Sequence, residues 1–155
     1  MCKVIAICNQ KGGVSKTTTT ANLGVGLVRA GKKVLVIDAD PQGNLSQSLG
    51  IENPDELEVA LPNIMEQIMT GEDVDVTKGI VHHKEGIDLM PCNIDLSAVD
   101  VSLVHVLSRE FIMKTYVDSM REFYDYILID CMPSLGVITI NSLTASDSVL
   151  IPVQA

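Results

Sequence analysis

The feature that most restricts the fold is an aliphatic run that gives way at once to a glycine-containing loop and then to a helix. "KVIAIC" (Lys3–Cys8) has the unbroken aliphatic character of a strand buried on both faces. The loop Asn9–Ser15 follows. Lys16–Ala30 reads as a helix, with Ala21, Leu23, Val25, Leu27 and Val28 available for packing and Gly31 as its C-terminal cap. Val34–Ile37 is a second aliphatic strand, and two aspartates, Asp38 and Asp40, close it. Strand, helix and strand in this order make a βαβ unit with a right-handed crossover.

The rest of the chain continues the alternation. A helix is expected over Leu61–Met69, stopped at Gly71, and two short strands around a Lys84–Gly86 turn. Ile94–Phe123 reads as helical with a break near Ser108. Tyr126–Ile129 is a third strong strand ending at Asp130, Val137–Thr144 a helix, and Ser148–Val153 a last strand. The expected class is α/β: a three-layer sandwich around a mostly parallel sheet, formed by one domain over residues 1–155. With 46% hydrophobic but only 3% aromatic residues, its core must be aliphatic.

Charge divides the chain. Residues 1–50 carry a balance of +4 and residues 51–155 one of −13. The acidic part would repel a nucleic-acid backbone, which argues against DNA as a partner of this chain alone. No apolar run approaches the ~20 residues of a membrane span. The start, "MCKVIAICNQKGG", is too short and too soon polar for a signal peptide. Cys2, Cys8, Cys92 and Cys131 include no C-x-x-C pair and are expected to be reduced thiols in a cytoplasmic protein.

The loop "NQKGGVSKTTTT" (Asn9–Thr20) lies where a phosphate-binding loop belongs, between a buried strand and a helix start. The common pattern G-x-x-x-x-G-K-[ST] fits only in part. Aligned on Lys16 and Thr17, its glycines fall on Gln10 and Ser15. Gly12 and Gly13 still let the backbone approach an anion, Lys16 can neutralise phosphate charge, and the Thr17 hydroxyl can ligate Mg²⁺. Ser15 would cost about 1–2 kcal/mol if the turn needs a positive φ there. Asp38, Asp40 and Asp130 end their strands on the edge where parallel sheets bind ligands. Carboxylates beside a phosphate loop suit a metal–nucleotide site.

These residues carry a family resemblance. "KGGVSKTT" (Lys11–Thr18) resembles the deviant Walker A motif, K-G-G-x-x-K-[ST], of the ParA/MinD superfamily of P-loop ATPases. "VIDADPQGN" and "ILIDCMPSLG" resemble the second signature and the Walker B region of its ParA and Soj branch, and the likeness runs from Lys3 to Ala155. It implies ATP and Mg²⁺ as cofactors, with Lys11, Gly12, Gly13, Val14, Ser15, Lys16, Thr17 and Thr18 forming the nucleotide loop. Lys11 would reach the ATP of the other chain in a homodimer, Lys16 would be the ordinary loop lysine and Thr17 would hold Mg²⁺. Asp40 would orient the attacking water, Asp38 would lie near the metal shell and Asp130 would support the metal through water. It further implies ATP hydrolysis in plasmid or chromosome partition, a ParB-like partner and DNA binding by the family, with no membrane. The alternative is a ParA-like module that holds phosphates without turnover. Ser15 and Met132 depart from the family's usual glycine and proline, and its members continue about a hundred residues further.

Other side chains have plainer readings. His82 and His83 are neighbours on a strand and point to opposite faces, so they cannot readily share a metal. His105 lies within an apolar helical stretch. Met65, Met69, Met113 and Met120 are packing residues, Ser134 caps the next helix, and Glu52–Glu58 is a solvated surface.

Overall fold

The computed structural model describes residues 1–154. Its strands are β1 (Lys3–Ile7), β2 (Val34–Ala39), β3 (Val81–His82), β4 (Asp88–Met90), β5 (Tyr126–Cys131) and β6 (Ser148–Leu150). They form one sheet in the order β3-β4-β2-β5-β1-β6, parallel throughout except for the β3–β4 pair. The helices are α1 (Lys16–Arg29), α2 (Asn44–Ser48), α3 (Leu61–Thr70), α4 (Leu96–Leu103), α5 (Ile112–Met120) and α6 (Val137–Ala145).

Alternation along each strand supplies two cores. Val4, Ala6, Leu35, Ile37, Ile127 and Ile129 face the layer that holds Met65, Met113, Tyr116 and Met120. Ile7, Val34, Val36 and Leu128 face the opposite layer with α1 and Leu45 of α2. The sheet is thus covered on both sides, as the three-layer expectation requires. Gly24 lets α1 lie close to it: a Cβ there would meet Val36 Cγ1 at 3.1 Å.

The end of α1 follows from its sequence. Gly31 has φ +80°, its N–H donates to Val28 O and that of Lys32 to Leu27 O, the paired bonds of a Schellman cap. The stretch expected to be helical over Ile94–Phe123 is α4 and α5, and its break begins after Leu103 and includes Ser108, which has φ 55° and precedes a 3-10 turn at Arg109–Phe111.

Some boundaries differ. Strands β2 and β5 run past their expected ends and take Asp38 and Asp130 into the ladder as direct neighbours. Strand β6 stops at Leu150 instead of Val153. Its neighbour β1 bends into the loop after Cys8, whose N–H donates to Leu150 O, and Pro152 has no N–H to offer. The short α2 was not expected at all. The Ser134 hydroxyl accepts from Gly136 N–H just before α6, while Asp100 Oδ1 accepts from Ile138 N–H inside its first turn.

Candidate nucleotide site

The loop after β1 is held at both ends. Asn9 accepts the Lys11 N–H at 2.9 Å and donates to Pro152 O at 2.8 Å, which ties the loop to the segment after β6. Gly13 has φ 71° and Ser15 φ 64°, so both take the left-handed turn that brings the chain into α1. Ser15 is the N-cap of α1 but makes no side-chain cap bond. The first N–H groups of a helix have no intrahelical acceptor, and with the helix dipole they make its start attractive to an anion. A cleft of about 300 Å³ lies there, lined by Gly12–Thr18, Asp40, Asn44, Cys131 and Pro133.

Lys16 is only 8% exposed, and its Nζ donates to Lys11 O at 3.1 Å. The ammonium therefore folds back over the loop. The Lys11 side chain stands on the exposed outer side. Thr17 Oγ1 donates to Asp130 Oδ2 at 2.7 Å, and Thr20, one turn on, reaches Asp130 Oδ1 at 3.4 Å. Asp130 is 1% exposed, and burial pushes its carboxyl up to about 6, with the charge of Asp40 adding and the Thr17 bond opposing.

Asp38 lies deeper. It is fully buried and does not line the cleft. Its Oδ2 accepts from Ser46 N–H at 2.8 Å and Ser46 Oγ at 2.7 Å, and its Oδ1 accepts from Asp40 N–H at 3.2 Å. Burial pushes it up to about 7 despite these bonds. Asp40 reaches the cleft, with its Oδ1 accepting the Gln42 N–H at 2.9 Å.

The fold thus gathers Gly12, Gly13, Val14, Ser15, Lys16, Thr17, Thr18 and Asp40 around one cleft, with Asp130 behind Thr17 and Asp38 behind Asp40. Sequence reasoning missed Asn9, Thr20, Ser46 and Asn44. Only Thr20 left a signal, its spacing of one helical turn from Thr17. Among the described residues no cluster of three or more His, Cys, Asp or Glu could hold a metal ion. A cation here would need a hydroxyl such as Thr17, water and ligand phosphates, the usual donors of Mg²⁺. His82 pairs with Asp88, and His83 accepts from Glu85 N–H.

Two thiols flank the loop. The neighbouring Cys131 thiol holds the Cys8 thiol below the ordinary range, and Cys131 is pushed up by its pairing with Cys8 and by burial.

Known proteins are similar to this chain in sequence and in fold. The AAA domain family matches residues 2–155. The chain is 48% identical over 154 residues to the sporulation initiation inhibitor protein Soj of Bacillus subtilis (strain 168), covering 99% of this chain and 59% of Soj. It is 41% identical to the chromosome partitioning protein ParA of Caulobacter vibrioides (strain NA1000 / CB15N), covering 98% of this chain and 56% of that protein. The crystal structure of cobyrinic acid a,c-diamide synthase from Mycobacterium smegmatis with bound ATP analog and magnesium matches at TM-score 0.93 and 41% identity, covering 99% of this chain and 61% of that one. The chain therefore spans less than two thirds of these relatives, whose names divide between partition, sporulation control and synthesis. No helix among the described residues is long and apolar enough to cross a membrane. By its motifs, its sheet and these matches, the chain belongs to the ParA/MinD superfamily of P-loop ATPases.

Proposed function

We propose that residues 1–155 form one ParA-like domain that binds ATP with Mg²⁺ at the start of α1 and hydrolyses it, as the ATPase of a plasmid or chromosome partition system. The observation that carries this reading is the meeting of Lys16, Thr17 and Asp40 at one cleft, with Asp130 bonded to Thr17. The names of the relatives support partition, and the nucleotide and magnesium in the M. smegmatis structure support the cofactors.

In this reading the N–H groups of Gly12–Thr17 cradle the phosphates, and Lys16 swings from Lys11 O onto the β- and γ-phosphate oxygens. Phosphoryl transfer is catalysed chiefly by positioning and charge neutralisation, which these groups can supply. Thr17, with Asp130 behind it, would hold Mg²⁺. Magnesium, when bound, screens the negative charge of the β- and γ-phosphates. Asp40 orients the attacking water. Asp38 acts through Asp40 and Ser46, because its oxygens are already engaged. The exposed Lys11 is free to approach ATP held by a second copy, which supports an ATP-dependent homodimer. A ParB-like partner and a cytoplasmic location belong to the same reading. DNA binding by residues 51–155 does not, given their balance of −13.

Thermal melting with Mg²⁺ and ATP, ADP or neither, beside Lys16→Ala, tests the proposal. A ligand at 100 times its Kd stabilises a fold by about 2.7 kcal/mol. A shift that disappears in Lys16→Ala, together with phosphate release, is the expected result. A shift without phosphate release reduces the chain to a binding module. No shift at millimolar ATP overturns the nucleotide assignment.

A further inference from the structure

Cys8 and Cys131 stand side by side at the root of the loop. The β1–β5 ladder runs in register as far as Ile7 and Asp130, so the next residue of each strand faces the other. Neighbouring strands lie about 5 Å apart, within the 4.4–6.8 Å range of Cα separations that a disulfide spans. Alternation puts both side chains on the face that carries Val4, Ala6, Ile127 and Ile129, where each thiol perturbs the ionisation of the other.

Their exposure is unequal. Cys131 is 2% exposed, whereas Cys8 is half-buried and lines a cavity of about 290 Å³ with Leu143, Val149 and Ile151. The Thr139 hydroxyl in the wall of that cavity finds no hydrogen-bond partner among the described residues. On the other side Cys131 lines the cleft at the start of α1. The other two cysteines, Cys2 and Cys92, lie on other parts of the chain, and Cys92 is fully buried.

We propose that Cys8 and Cys131 form a reversible dithiol–disulfide site at the root of the phosphate loop, closed by exchange with a low-molecular-weight disulfide. The Cys8 thiolate attacks one sulfur of the reagent, forms a mixed disulfide and releases one thiolate. Cys131 then loses its proton to that thiolate and attacks Cys8 Sγ, releasing the second half of the reagent as a thiolate that takes up the proton lost from Cys8. Two protein thiols are oxidised and one reagent disulfide is reduced to two thiols.

The test exposes the folded chain to oxidised glutathione near neutral pH, then maps peptides without reduction and counts free thiols. The expected result is a fall from four free thiols to two, one peptide pair linking Cys8 to Cys131, and full reversal by dithiothreitol. In Cys131→Ser the reaction stops at the mixed disulfide on Cys8. In Cys8→Ser, Cys131 does not react. The proposal is overturned if the natural chain stops at the mixed disulfide, if Cys2 links two chains instead, if Cys92 is consumed along with Cys131, or if no thiol is lost.

Discussion

Thr17 and Asp130 lie 113 positions apart, yet the Thr17 hydroxyl donates to Asp130 Oδ2 at 2.7 Å. That bond fastens the first turn of α1 to the end of β5 and leaves a buried carboxylate with one strong partner. Thr17→Val keeps the shape and removes the donor. It is expected to cost about 1–3 kcal/mol in urea unfolding, and to make any ATP-induced melting shift independent of magnesium. An unchanged magnesium dependence would remove Thr17 from the metal site.

Ser15 offers a test of strain. Its φ of 64° lies in the left-handed region, which costs a non-glycine residue about 1–2 kcal/mol. Ser15→Gly relieves that cost but adds freedom to the unfolded chain, worth about 0.4–1 kcal/mol in the other direction. A net stabilisation of about 0.5–1 kcal/mol is expected, read as a higher urea midpoint at constant slope. A lower midpoint would mean that the hydroxyl does more than the φ costs.

Asp38 and Asp130 set the pH dependence of the ligand-free chain. Burial raises them to about 7 and about 6, against about 3.9 in an unfolded chain. A raised carboxyl stabilises the fold below its unfolded value and loses that contribution as pH rises through the folded one. Asp147 works in the opposite sense. The bond from Arg121 holds it below its ordinary range, so its contribution is lost only as pH falls towards strong acid. The melting temperature is therefore expected to fall between pH 5 and pH 8. In Asp38→Asn most of that fall should be gone. A flat profile in the natural chain would show that water or a counter-ion reaches these carboxylates.

The approach of α1 to the sheet rests on Gly24. A Cβ at this position would lie 3.1 Å from Val36 Cγ1 and 3.5 Å from Ile87 Cγ2. Gly24→Val should cost about 1–3 kcal/mol through overpacking. Gly26 is two residues on and meets nothing within 4 Å. Gly26→Ala should instead gain up to about 1 kcal/mol from helix propensity. Equal effects at the two positions would mean that α1 can shift on the sheet.

Features with a local cause were readable from the residues. Unbroken aliphatic runs give buried strands, so β1, β2 and β5 were visible. Gly31 and Gly71 can take the left-handed turn, and both end helices where expected. The loop from Lys11 to Thr18 was legible because a phosphate site needs glycine, lysine and hydroxyl in one short stretch between strand and helix. What depends on register was not. The pairing of Asp38 with Asp130 and the adjacency of Cys8 and Cys131 follow from which strand lies beside which, and no local pattern encodes that. The engagement of Asp38 by Ser46 comes from a five-residue helix too short to carry a periodic signal. The early stop of β6 was hidden as well, since a strand ends where its neighbour turns away, and that neighbour, β1, lies more than a hundred residues earlier. Chemical identity and backbone preference are written residue by residue. Burial, pairing and the raised carboxyls of Asp38 and Asp130 arise only when distant segments stack on one sheet and exclude water.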